Sequence, residues 1–133
     1  MNKWQAKVRE FHRACGLDEE LQGCFYERGF WRMLDYRCDF IDSELTETRD
    51  AVEAVDVPAF VDGLVDMLYF ILGTADQMGI DLDPYFDAVH AANMAKKGGG
   101  LDENHKLRKP PGWTPPDIEG MVEQRVGFVG GAE

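Results

Sequence analysis

Between Ala59 and Leu72 the chain reads AFVDGLVDMLYFIL, an apolar stretch whose only charged residues are Asp62 and Asp66. It has no proline and no sustained period-two alternation, so it reads as a helix. Apolar residues nearly all round are the pattern of a buried helix. The two carboxylates stand at i and i+4 and project from one face. A buried ionised carboxylate is costly unless it is paired or bound to metal. Near the first turn, Asp62 suits the helix dipole without any further role. Asp66 lies two turns in, and a salt bridge to a distant lysine or arginine is its plain alternative.

The punctuation around this segment sets the other elements. Asp56 and Pro58 mark a cap and an early-turn proline, and Gly79 marks the end of this third helix. Before it, Asn2 to Ala14 predicts a first helix with Trp4, Val8 and Phe11 on one side, and Gly16 and Gly23 bracket a loop. A second, longer helix is expected from about Glu27 to Val55, with Leu34, Ile41, Leu45, Val52 and Val55 as its apolar stripe and Thr48 on the same face. Asp83-Pro84 opens a fourth helix that ends near Gly98-Gly99-Gly100. An irregular proline-rich segment follows, over about 98–116, and a short last helix starts at Asp117. The expectation is an all-α single domain over 1–133, a four- to five-helix bundle with antiparallel neighbours, completed by dimerisation.

On the second helix, Glu44 and Glu47 stand at i and i+3. At about 100° per residue they flank the apolar stripe. If helices two and three run antiparallel, this flank meets Asp62 and Asp66. An ExxE alone is usually a solvated edge, whereas one carboxylate pair on each of two successive helices is more pointed. Four acids in one place repel and raise one another's pKa, and a divalent cation resolves the repulsion. All-oxygen ligation points to Mg²⁺, with Mn²⁺ as the alternative. On the fourth helix Phe86, Val89, Asn93 and Lys96 form a stripe that begins apolar and ends in an amide and an ammonium. Asn93 and Lys96 either terminate the helix or grip phosphate and sugar beside the metal.

Composition narrows the classes. With 25 acids against 14 bases, a net charge of −11 repels a phosphate backbone, which argues against nucleic acid as a partner. No apolar run reaches the length of a membrane span without charges, and the N-terminus turns charged at once, so no membrane and a cytoplasmic location are expected. Cys15, Cys24 and Cys38 are odd in number and lack CxxC spacing, which speaks for free thiols.

The segments SELTETRDAV, VDGLVDMLYFILGTADQMGIDLDPYFDAVHAANMAKK and LRKPPGWTPPDI together resemble the MazG-like and phosphoribosyl-ATP pyrophosphohydrolase-like all-α NTP pyrophosphohydrolases, over roughly residues 37 to 118. The resemblance implies a helical dimer or dimer of dimers. It also implies hydrolysis of a nucleoside triphosphate, or a related nucleotide, between the α and β phosphates to a monophosphate and pyrophosphate. Two positions depart from the family's EExxE and ExxD motifs: Ser43 replaces the first glutamate, and Gly63 the glutamate of ExxD. On this reading Glu44, Glu47, Asp62 and Asp66 hold metal, Glu47 also serves as base, and Asn93, Lys96 and Lys109 contact the substrate. A non-catalytic helical interaction module with an acidic surface is the first rival. A di-iron bundle, suggested by Asp87 and His90, is the second, but it would need a second acid–histidine pair.

Overall fold

The computed structural model describes residues 1–17 and 28–126. It is all α, with α1 (Lys3–Ala14), α2 (Arg28–Glu53), α3 (Val57–Gln77), α4 (Asp83–Met94) and α5 (Ile118–Val126). Among the described residues the sole β pairing is an isolated bridge between Leu101 and Leu107. The expected loop glycine Gly23 and the helix start at Glu27 fall outside the described residues.

The caps sit where the sequence places them. The Asn2 side chain accepts from the backbone N–H of Trp4 and Gln5 at the head of α1. The Asp56 carboxylate accepts from Ala59 N at the head of α3, with Pro58 in the first turn. Between α2 and α3 only three residues intervene. Val55 there adopts φ 56°, the left-handed conformation that usually closes a helix with glycine, and the Asp56 N–H bonds back to Ala51 O. So tight a reversal makes the two helices antiparallel.

The chain divides into two compact units, Met1–Asp81 and Leu82–Glu133. In the first, α3 is the shared wall, packing on α2 along one side and on α1 along another. Contacts run in opposite directions along α2 and α3: Thr48 meets Gly63, Phe40 meets Phe70, and Arg37 meets Thr74. In the second unit α4 packs on α5, and Trp113 Nε1 donates to Ala92 O at 2.7 Å, tying the proline-rich segment to α4.

Three expectations about packed faces need correction. The buried residues of α2 are Phe30, Arg37, Thr48 and Ala51, while Leu45, Val52 and Val55 of the expected stripe are exposed. On α1 the buried residues are Gln5, Val8 and His12, whereas Trp4 and Phe11 are exposed. And α3 is not buried all round. Its packed side is Gly63, Leu72, Gly73, Ala75 and Asp76, and Val61, Leu64, Val65, Leu68 and Ile71 lie open. The cause is common to all three. Helices that approach closely want small or hydrogen-bonding residues at the crossing, and two neighbours cover only part of α3's circumference.

Gly63 shows the closeness best. A β-carbon built there would run into Thr48 Oγ1, and would lie 3.1 Å from Thr48 Cβ and 3.4 Å from its Cα. Gly63→Ala therefore overpacks the crossing and should cost about 1–3 kcal/mol in denaturant unfolding. Adding Thr48→Ala removes the clashing hydroxyl and should return part of the loss. A Gly63→Ala chain as stable as the parent would mean that the helices are farther apart than this.

Candidate active site

The close crossing at Gly63 and Thr48 places the carboxylates. Glu44 and Glu47 come from α2, Asp62 and Asp66 from α3, and all four line one shallow cleft of about 360 Å³, together with Asp50 and Asp56. Glu44 and Asp66 are half-buried, and Glu47 and Asp62 are exposed. The expectation of a buried helix around these aspartates is thus corrected: the open side of α3 leaves Asp62 in solvent. Thr48 Oγ1 donates to Glu44 O at 2.7 Å, which holds this threonine within its own helix.

The Glu44 carboxyl is held above its ordinary pKa. Partial loss of water around it is the largest cause, and repulsion from Glu47, Asp66 and Asp62 adds to it. Glu44 therefore senses the other three acids across the two helices. Among the described residues none of them is in an ion pair. Nor do any three His, Cys, Asp or Glu side chains among those residues close on a common point tightly enough to form a finished metal cage. The donor chemistry nonetheless fits Mg²⁺, which keeps several waters and commonly takes only one or two carboxylates plus substrate phosphates. The Gly63 departure also has a structural reason. A glutamate there would be driven into Thr48, so the α2–α3 crossing that assembles the other acids would have to widen.

A second cavity, of about 700 Å³, opens beside the cleft between α1, α2 and α3, and Glu44 and Asp66 line both. Its other walls include Tyr36, Phe40, Tyr69 and Phe70. Of the aromatic residues on the α2 and α3 faces, Trp31 instead stacks edge-on against Phe30 and is 56% exposed. Sequence reasoning missed Arg37, which is buried against the Phe40 and Phe70 rings, with its pKa lowered by loss of solvent. It also missed the Arg9–Asp76–His12 cluster that joins α1 to α3. A lone basic residue in a helical segment carries no periodic signal that separates a buried position from a solvated one.

Asn93, Lys96 and Lys109 come together in the second unit. Lys96 Nζ donates to Asn93 Oδ1 at 2.9 Å, and the two ammoniums lie 5.1 Å (Lys96) and 4.8 Å (Lys109) from the centre of the Trp113 ring. The fourth helix ends at Met94, earlier than the glycine run suggests, so Asn93 is in its last turn and Lys96 just past it. Asp87 and His90 are both exposed on α4.

A sequence model of the phosphoribosyl-ATP pyrophosphohydrolase family matches residues 8–93, more than half of the chain. The chain belongs to that family. The matched span contains α2, α3 and the whole carboxylate cleft, and it reaches Asn93 at the end of α4. Membership supports a nucleotide pyrophosphohydrolase activity in general terms. No curated protein matches the chain closely enough to serve as a named relative.

Proposed function

We propose that this phosphoribosyl-ATP pyrophosphohydrolase family member hydrolyses a nucleoside triphosphate, or a related nucleotide, between its α and β phosphates. The products are the monophosphate and pyrophosphate. The observation that carries this reading is the set of four carboxylates, two from each of two antiparallel helices and unpaired among the described residues, lining one cleft beside an aromatic cavity. Such a cleft repels a triphosphate unless a cation intervenes.

Glu44, Glu47, Asp62 and Asp66 would hold Mg²⁺, or Mn²⁺ in its place. When bound, the ion neutralises phosphate charge and polarises the phosphoryl oxygens. Glu47, exposed at the cleft and free of ion pairs among the described residues, accepts a proton from the attacking water. The water oxygen forms a bond to phosphorus, the bond to the bridging oxygen breaks, and pyrophosphate leaves with the electron pair. In the second unit, Asn93, Lys96 and Lys109 cluster around Trp113 and are the proposed substrate contacts.

A homodimer, or a dimer of dimers, is part of the proposal. Support comes from the open side of α3, where Val61, Leu64, Val65, Leu68 and Ile71 are each at least 37% exposed. By length and mean hydropathy α3 would also pass for a membrane span. Asp62 and Asp66 in its interior are costly in lipid and favour a second copy as the cover.

The test is incubation with each common NTP and dNTP under Mg²⁺, Mn²⁺ and chelator, with pyrophosphate and orthophosphate scored separately. Metal-dependent pyrophosphate release is expected, and orthophosphate alone would contradict the cleavage site. In parallel, Mg²⁺ at 100 times its Kd should raise unfolding stability by about 2.7 kcal/mol. Neither turnover nor a metal-induced shift would leave a non-catalytic module as the better account.

A further inference from the structure

Arg37 is 8% exposed and has no carboxylate partner among the described residues. Its Nε donates to Thr74 Oγ1 at 3.0 Å and its Nη2 to Phe70 O at 2.8 Å. A guanidinium carries five N–H donors and cannot shed its charge in a protein, so three donors have no acceptor among those residues. The guanidinium carbon lies 5.7 Å from the centre of the Phe40 ring and 5.2 Å from that of Phe70. Contact with ring faces offsets part of the lost hydration of a buried cation, and the remaining donors stay free for an acceptor that enters from the cavity. Arg37 lines the cavity of about 700 Å³, a size that suits a small organic ligand. One turn farther along α3 the wall offers the opposite need. Gln77 donates to Leu17 O at 3.5 Å, while its buried Oε1 has no donor among the described residues.

We infer that this cavity is the base pocket and that Arg37 makes it selective for 6-oxopurine nucleotides, of the guanine or hypoxanthine type. The inference rests on the carboxylate cleft being the phosphate site. A planar guanidinium fork matches two adjacent acceptors, and a 6-oxopurine presents O6 and N7 side by side. The same base carries N1–H next to its oxo group, the donor that Gln77 Oε1 lacks. Adenine puts an amino group where the oxo group would be, and that group meets Arg37 donor to donor. Phe40 and Phe70, already against the guanidinium, supply flat apolar walls for the ring. The register agrees, because Phe70 and Thr74 follow Asp66 by one and two turns of α3, about 6 and 12 Å along its axis. That interval spans a nucleoside from its phosphate to the far edge of its base.

The experiment measures calorimetric binding of GMP, IMP, AMP, CMP and UMP to the full chain with Mg²⁺ present. These monophosphates have no α–β bond, so binding is read apart from cleavage. GMP and IMP are expected to bind at least about tenfold tighter than the other three, and Arg37→Met should erase the difference. Arg37→Lys keeps the charge and stem but not the fork, so it should erase it too even if the methionine variant folds poorly. Equal binding of all five to the parent chain, no binding at all, or a preference that survives in Arg37→Lys would overturn the assignment. A 6-oxopurine preference without α–β cleavage of any triphosphate would leave the pocket standing and remove the hydrolase reading. Cleavage without base preference would do the reverse.

Discussion

Asp66→Asn should abolish turnover, lowering kcat by roughly 10²-fold or more, while the chain remains folded. Asp66 is the α3 carboxylate that lines both the acidic cleft and the aromatic cavity, so it stands where phosphate and nucleoside would join. The substitution keeps the side chain's volume and removes its charge, and with it one anionic oxygen available to a divalent cation. Among the described residues no ion pair or side-chain hydrogen bond depends on Asp66, so no such tie is lost. Stability without metal should even rise slightly. Asp66 is one of the charges that hold the Glu44 carboxyl above its ordinary pKa, and removing it relieves that repulsion. A group whose folded-state pKa is raised destabilises the fold as pH climbs through that raised value. The metal-free parent chain should therefore gain stability on mild acidification through Glu44, and Asp66→Asn should show less of that gain. Steady-state kinetics and circular dichroism on the same preparation decide the matter: a folded variant at full activity would remove Asp66 from the site.

What the sequence disclosed about this site follows from which signals are local. Caps depend on one or two residues, and Asp56-Pro58 and Asp83-Pro84 mark their helices close to where these start. Helical spacing fixes which acids share a face, so the pairs Glu44/Glu47 and Asp62/Asp66 were legible, and the short α2–α3 turn then brings them to one cleft. Hydrophobicity misled on faces. Leu45, Val52 and Val55 are apolar yet exposed, whereas Arg37 is polar yet buried, because it finds acceptors on α3. Thr48, expected on the packed face, is buried there at the crossing with Gly63. The Lys96–Trp113–Lys109 cluster was only half legible: Lys109 and Trp113 sit in a segment without periodicity, and their meeting with α4 depends on the Trp113 bond to Ala92.

The second large effect concerns how α1 is held. Asp76→Ala should cost about 3 kcal/mol in global unfolding, because it strips a buried acceptor from two donors at once. The Asp76 side chain is 5% exposed, taking Arg9 Nε at 2.5 Å and His12 Nδ1 at 2.9 Å. Arg9 is 31% exposed and can recover water when the carboxylate goes, so its share of the loss is small. His12, only 4% exposed, cannot, and it carries most of the cost. Asp76→Asn retains one carbonyl oxygen and the side chain's shape, so its penalty should be clearly smaller than that of the alanine variant. These bonds, with Gln5 Nε2 to Ile80 O at 2.6 Å, are polar ties between α1 and α3. Loosening them frees Phe11 and His12, which line the aromatic cavity. Hydrogen exchange in Asp76→Ala should accordingly rise in α1 more than in α2. If a nucleotide does occupy that cavity, its KM should rise more than kcat falls, since Glu44, Glu47, Asp62 and Asp66 lie on helices that this change leaves packed. An alanine variant as stable as the parent, with α1 protected as before, would mean that apolar contacts alone dock the first helix.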